Sequence, residues 1–158
     1  MRAVLIATLL SLLACSSSSS PADEPWVGSW TRAGTQVTMC GGVSTTTQLA
    51  GTVTISLGAA TGTVEASVEI LSCPFAGCTS TTNCSLLLSV TGDSATLGPG
   101  QSCAASVDGA DATITFATGT DTLDDDTITS NATGTSSNGC TVAQQYTLTR
   151  TVRPPPMH

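Results

Sequence analysis

Lysine is absent from this chain, and its one histidine, His158, is the last residue. Those gaps remove the common activated nucleophiles. Neither a Ser-His-Asp nor a Ser-Lys arrangement can be assembled, despite the many serines. Aromatic residues number five: Trp26, Trp30, Phe75, Phe116 and Tyr146. A sugar site would therefore lack stacking platforms, and the core must be built from Val, Ile, Leu and Ala. Positive charge is equally scarce. The four basic residues are all arginines (Arg2, Arg32, Arg150, Arg153) against eleven acidic ones, a formal net charge of −7. A nucleic-acid binder needs a basic footprint, so nucleic acid is excluded as a partner. An anionic membrane surface would also repel the chain. Taken together, these absences predict a protein that is not an enzyme and needs no cofactor.

What is present begins with a short leader. Arg2 supplies a positive start, and Val4 to Ala14 supply an apolar run. That run is too short to span a bilayer, which takes about 20 residues, and it has the length of a signal-peptide core. It ends in Leu12-Leu13-Ala14-Cys15, which resembles the lipobox of bacterial lipoproteins. The resemblance implies that residues 1–14 are cut away. The Cys15 thiol then carries a diacylglycerol, and the new amino terminus is acylated, typically with palmitate. Loss of Arg2 takes the formal charge from −7 to −8. Ser16 follows the cysteine where inner-membrane retention would use Asp, which favours the outer membrane. The other reading is an ordinary secretory signal followed by a free cysteine. Residues 15–25, a polyserine run and then Pro21 to Pro25, form a flexible tether. The folded domain is expected over 26–152, with a Pro-rich tail over 153–158.

Setting Cys15 aside leaves six cysteines, Cys40, Cys73, Cys78, Cys84, Cys103 and Cys140. An even number in an exported domain reads as a disulfide framework, although six cysteines allow 15 pairings. The spacing of Cys73, Cys78 and Cys84 also suits zinc, but no histidine lies nearby to share the metal. Gly92-Asp93 between SLLLSV and SATL marks a two-residue hairpin, in which facing residue numbers sum to about 185. Cys84 then falls two positions short of facing Cys103, and a slip at Gly98-Pro99-Gly100 closes the gap. Cys84 with Cys103 is the expected pair, with Cys73 to Cys78 closing a small loop and Cys40 to Cys140 joining the ends.

Polar and apolar residues alternate in Thr52 to Leu57, Thr63 to Ile70, Ala112 to Phe116, Thr127 to Thr129 and Val142 to Val152. Strict alternation means strands with one face buried and one in water. Glycine-rich turns separate the runs, and no helical period appears after the leader. The fold class is therefore all-β: an antiparallel up-and-down meander of about eight or nine strands, closing into a small barrel. A two-sheet sandwich is the alternative. Val27-Gly28-Ser29-Trp30 opens the first strand, and Gly-x-Trp at that place resembles the first-strand signature of lipocalins. That resemblance implies a barrel with the Trp packed across its closed end.

Candidate chemistry is thin. Glu65 and Glu69 share a face, but four strand residues place them about 13 Å apart, too far for a glycosidase pair. Asp121, Asp124, Asp125 and Asp126 could ligate calcium through oxygen, and acidic turns serve solubility equally well. Asn83-Cys84-Ser85 and Asn131-Ala132-Thr133 match glycosylation sequons by chance in a Thr-rich chain. The reading that follows is a lipid-anchored envelope protein with a structural or interaction role. The alternative is a lipocalin-like carrier of a small apolar ligand in a cavity of about 300 Å³ or more.

Overall fold

Alternation assigns one face of a ribbon to water and the other to a core, and wherever this sequence alternates the chain is a strand. The computed structural model describes residues 23–72, 80–107 and 110–152. After a 3-10 turn at Glu24–Trp26 come nine strands: β1 (Gly28–Cys40), β2 (Val43–Leu57), β3 (Thr63–Ser72), β4 (Ser80–Thr91), β5 (Ser94–Leu97), β6 (Ser102–Val107), β7 (Ala110–Asp124), β8 (Thr127–Ser136) and β9 (Thr141–Val152). Their order in the sheet is β5-β4-β3-β2-β1-β9-β8-β7-β6, and β5 also pairs with β7. That last ladder closes eight strands into a barrel, with β6 as an addition at the seam. The fold is the expected meander, and the closing ladder rules out the sandwich alternative.

The seam is where sequence geometry reached furthest. Thr91 faces Ser94 and Leu88 faces Leu97, so facing numbers do sum to 185. Strand β5 ends at Leu97, and β6 takes over along β7 after the Gly98-Pro99-Gly100 step. No backbone ladder joins β6 to β4 among the described residues. Two side-chain devices bridge them instead. The Gln101 amide accepts from the Leu87 N–H and donates to the Leu87 carbonyl, both at 2.7 Å, as a paired strand residue would. The Cys84–Cys103 disulfide ties β4 to β6.

The two ends of the barrel differ. At one end, Trp26 and Trp30 are fully buried. The Trp30 indole N–H donates to the Trp26 carbonyl (3.1 Å), and that of Trp26 donates to the Gly92 carbonyl (3.2 Å). The Arg150 guanidinium lies 4.1 Å from the Trp30 ring centre. It donates to Asp126 and to the carbonyls of Val27 and Pro25. Asp23 is buried here too, its Oδ2 accepting from the Gly62 N–H at 3.0 Å. Asp23 is thus held against the barrel, while Glu24 and Pro25 are exposed. At the other end, Cys40–Cys140 joins the β1–β2 tip to the β8–β9 tip across 100 residues of chain.

One stretch of wall is open. Strand β2 pairs with β3 only from Val53 to Leu57. From Val43 to Thr52 it pairs on one side only among the described residues, with β1. Cys15, Cys73, Cys78, Phe75, the Asp108-Gly109 turn and His158 lie outside the described residues. Among the described residues no helix is long and apolar enough to cross a membrane.

Candidate functional site

Polar groups inside a barrel cost free energy unless they find partners there. This barrel contains many. Arg32, Gln36, Thr38, Asp121, Ser130 and Gln144 are all buried. Four strands bring them together in rows. Gly34 on β1 faces Tyr146 on β9, Tyr146 faces Ser130 on β8, and Ser130 faces Asp121 on β7. The next row toward the Cys40–Cys140 end runs Gln36, Gln144, Ala132, Gly119. The Gln144 amide donates to Gln36 Oε1 at 2.8 Å, and the Gln36 amide donates to the Thr38 hydroxyl at 3.3 Å.

Gly34 is required beside Tyr146. A Cβ built on it would lie 2.2 Å from the Gln145 carbonyl oxygen and 2.4 Å from the Tyr146 Cα. Asp121 reaches the interior by way of a bulge. Ala112, Ile114 and Phe116 face inward, the ladder with β8 slips between Phe116 and Thr118, and the inward face then passes to Gly119, Asp121 and Leu123. Without that slip Asp121 would sit in solvent.

The electrostatics of the rows are unusual. Burial pushes the Asp121 carboxyl up to about 6, although a hydrogen bond from the Ser130 hydroxyl works against the shift. Burial likewise pushes the Tyr146 phenol up to about 12, with the Asp121 charge acting in the same direction. Two residues closer to the tryptophan end along β1, Arg32 is only 4 % exposed. Its Nη2 donates to the Ala50 carbonyl at 3.5 Å, and its guanidinium lies 5.6 Å from the Tyr146 ring centre. Its Nε is buried with no hydrogen-bond partner. The ion pair found among the described residues is Arg150 with Asp126, so Arg32 has no counter-charge there. Burial draws its pKa below the usual arginine value, partly offset by Tyr146.

Opposite the polar rows, Val53, Ile55, Ala66, Val68, Leu86 and Leu88 form an apolar wall. The free space between the two sides is about 20 Å³. That is room for roughly one water molecule, far below the volume a preformed carrier cavity would need.

The residues singled out from sequence are scattered by comparison. Asp124, Asp125 and Asp126 are exposed at the β7–β8 turn, while Asp121 points the other way into the barrel. The four do not form one calcium site, because the pleat separates them. Among the described residues no three His, Cys, Asp or Glu side chains converge as metal ligands. Glu65 is exposed and accepts from the Ser85 hydroxyl. The side chains of Glu69 and Asn83 lie outside those described, and Asn131 is exposed on β8. Sequence reasoning missed Arg32, Gln36, Thr38, Ser130 and Gln144. Their signal was present: in β1 they follow Trp30 at every second residue, which is the inward phase.

No protein-family model matches the chain, and no curated protein matches it either. Among solved structures, the S-type phycobiliprotein lyase CPES from Guillardia theta matches with a TM-score of 0.52 and 12% sequence identity. The match covers 83% of this chain and 91% of that one. The domain is a lipocalin-like barrel. The neighbour is a lyase, which overturns the expectation of a non-enzyme. The absence of lysine and the placing of the one histidine at the last residue argue against the nucleophiles those residues activate. They leave untouched any chemistry that needs only an acid, a phenol and a well-held ligand.

Proposed function

We propose that this lipocalin-like barrel is a small-ligand binding domain held at the bacterial cell envelope by lipid on Cys15. Its ligand has an apolar body and an anionic end. The anionic end meets Arg32 and the Tyr146–Ser130–Asp121 row, and the body lies along the Val53–Leu88 wall. One observation carries this reading: among the described residues Arg32 is buried with no counter-charge and with an unbonded Nε. An uncompensated buried cation is strongly unfavourable, and an anion is what removes the penalty. Below about pH 6 Asp121 is protonated, so it does not repel that anion and can donate it a hydrogen bond. The small free space means that side chains shift to admit the ligand. The Cys15 anchor rests on the lipobox resemblance and on the polyserine tether.

Octanoate is a suitable probe, with octanol as its uncharged control. Octanoate is expected to raise the melting temperature of the full chain. Octanol should do so much less, and Arg32→Met should remove the difference. Equal effects of the two probes would refute the anion site. Native mass spectrometry of protein extracted from its own membrane reads the anchor separately, as lipid mass on Cys15.

A second reading is favoured by Asp121. A buried carboxyl pushed up to about 6 beside a phenol is placed to transfer a proton to a held ligand, and the structural neighbour is a lyase. Under that reading the extracted wild-type protein releases a changed molecule, and Asp121→Asn retains the unchanged one.

A further inference from the structure

An unpaired strand edge is a row of hydrogen-bonding groups awaiting another strand, and proteins normally guard such edges with charge, proline or a bulge. Among the described residues the β2 edge from Val43 to Thr52 pairs with β1 alone, and it has none of these protections. It reads VSTTTQLAGT, without a charged residue or a proline. The neutrality extends well beyond the edge, since no Asp, Glu, Lys or Arg occurs from Ala33 to Val64. The register of its ladder with β1 shows no shift along this length. Large apolar side chains also gather at the same hairpin: Val37 is 37 % exposed, Met39 52 % and Val43 67 %.

From this placement we infer that the β2 edge pairs antiparallel with the β2 edge of a second copy, joining two barrel walls into one sheet. Charge selects the occupant. The chain carries a formal charge of −7, so two copies repel each other across most of their surfaces. They repel least where both are neutral. A basic partner gains nothing at this edge, which offers no acid to meet it. Symmetry fits as well. An antiparallel edge pairs with itself about a two-fold axis normal to the sheet, which closes the contact at two copies. Near the centre of the free stretch, Thr47 then lies opposite or diagonal to its own copy on the same face.

The test uses the full chain extracted from its membrane, with chains per particle counted by native mass spectrometry and by sedimentation equilibrium. The wild type is expected to carry two chains. Thr47→Lys and Thr47→Glu each place like charges against each other, and each should weaken association by up to about fivefold. Mixing the two variants should restore a mixed dimer, because opposite charges now meet. Thr47 is an exposed polar residue on a strand, and the restored dimer would show that neither variant had simply misfolded. A wild type that stays single-chain up to about 100 µM, or a lysine variant that associates as tightly as the wild type, would overturn the inference.

Discussion

Replacing Asp121 by asparagine is expected to stabilise the domain at neutral pH by up to about 3 kcal/mol. The ordinary carboxyl value of 3.8 is raised by burial to about 6 in the folded barrel. Between those two values the folded state holds a proton that the unfolded chain has released, so stability falls as pH rises through this window. Above pH 6 the whole penalty is present, because folding must then bury an ionised carboxylate. Asparagine has a similar shape, keeps an acceptor for the Ser130 hydroxyl and carries no charge. Urea unfolding from pH 4 to pH 8 separates the cases. The wild type should lose stability from pH 4 to about pH 7, and the variant should lose much less. General repulsion among the eleven acidic residues affects both proteins alike, so the difference between their curves isolates Asp121. Parallel curves would mean that Asp121 is not buried as an acid.

The largest loss is expected from the long-range disulfide. Cys40→Ala with Cys140→Ala opens a loop of 100 residues, which corresponds to about 4–5 kcal/mol of unfolded-state entropy. Cys84→Ala with Cys103→Ala opens one of 19 residues, worth about 3 kcal/mol on the same relation. A domain of this size is stable by about 5–15 kcal/mol, so the first change removes a large share. It also unpins the β1–β2 and β8–β9 tips at the end toward which the polar rows lead. Urea midpoints of the two double variants, compared under oxidising conditions, give the order. If the Cys84–Cys103 pair proved the costlier to remove, its hold on β4 and β6 at the seam would outweigh loop entropy.

How far the sequence reached is clearest along β7. From Ala112 to Phe116 its alternation was legible, and so were the strand and its inward face. Alternation alone would have carried that phase onward and left Asp121 in water. The bulge after Phe116 reverses it, and no residue there announces the reversal. The acidic run was therefore read as one group, although the strand sends Asp121 to the core and leaves the others at the turn. The hairpin at Gly92-Asp93 is the opposite case. A two-residue turn fixes register, and register alone places Cys84 near Cys103. The polar rows could not be read in this way. Asp121, Ser130 and Tyr146 are neighbours only through two separate ladders, and a polar residue at an inward position looks, in one dimension, like an interruption of a strand. The absence of lysine and the terminal position of the one histidine exclude particular mechanisms and not catalysis as such.

The account turns on whether Arg32 is held inside the barrel for a ligand or for stability. Calorimetry of Arg32→Met, alone and with octanoate, addresses this most directly. Methionine fills similar space without charge, so the ligand-free variant is expected to be more stable than the wild type by about 1–4 kcal/mol and to show no charge-dependent gain from octanoate. A variant that is clearly less stable than the wild type, yet still prefers octanoate to octanol, would contradict the account.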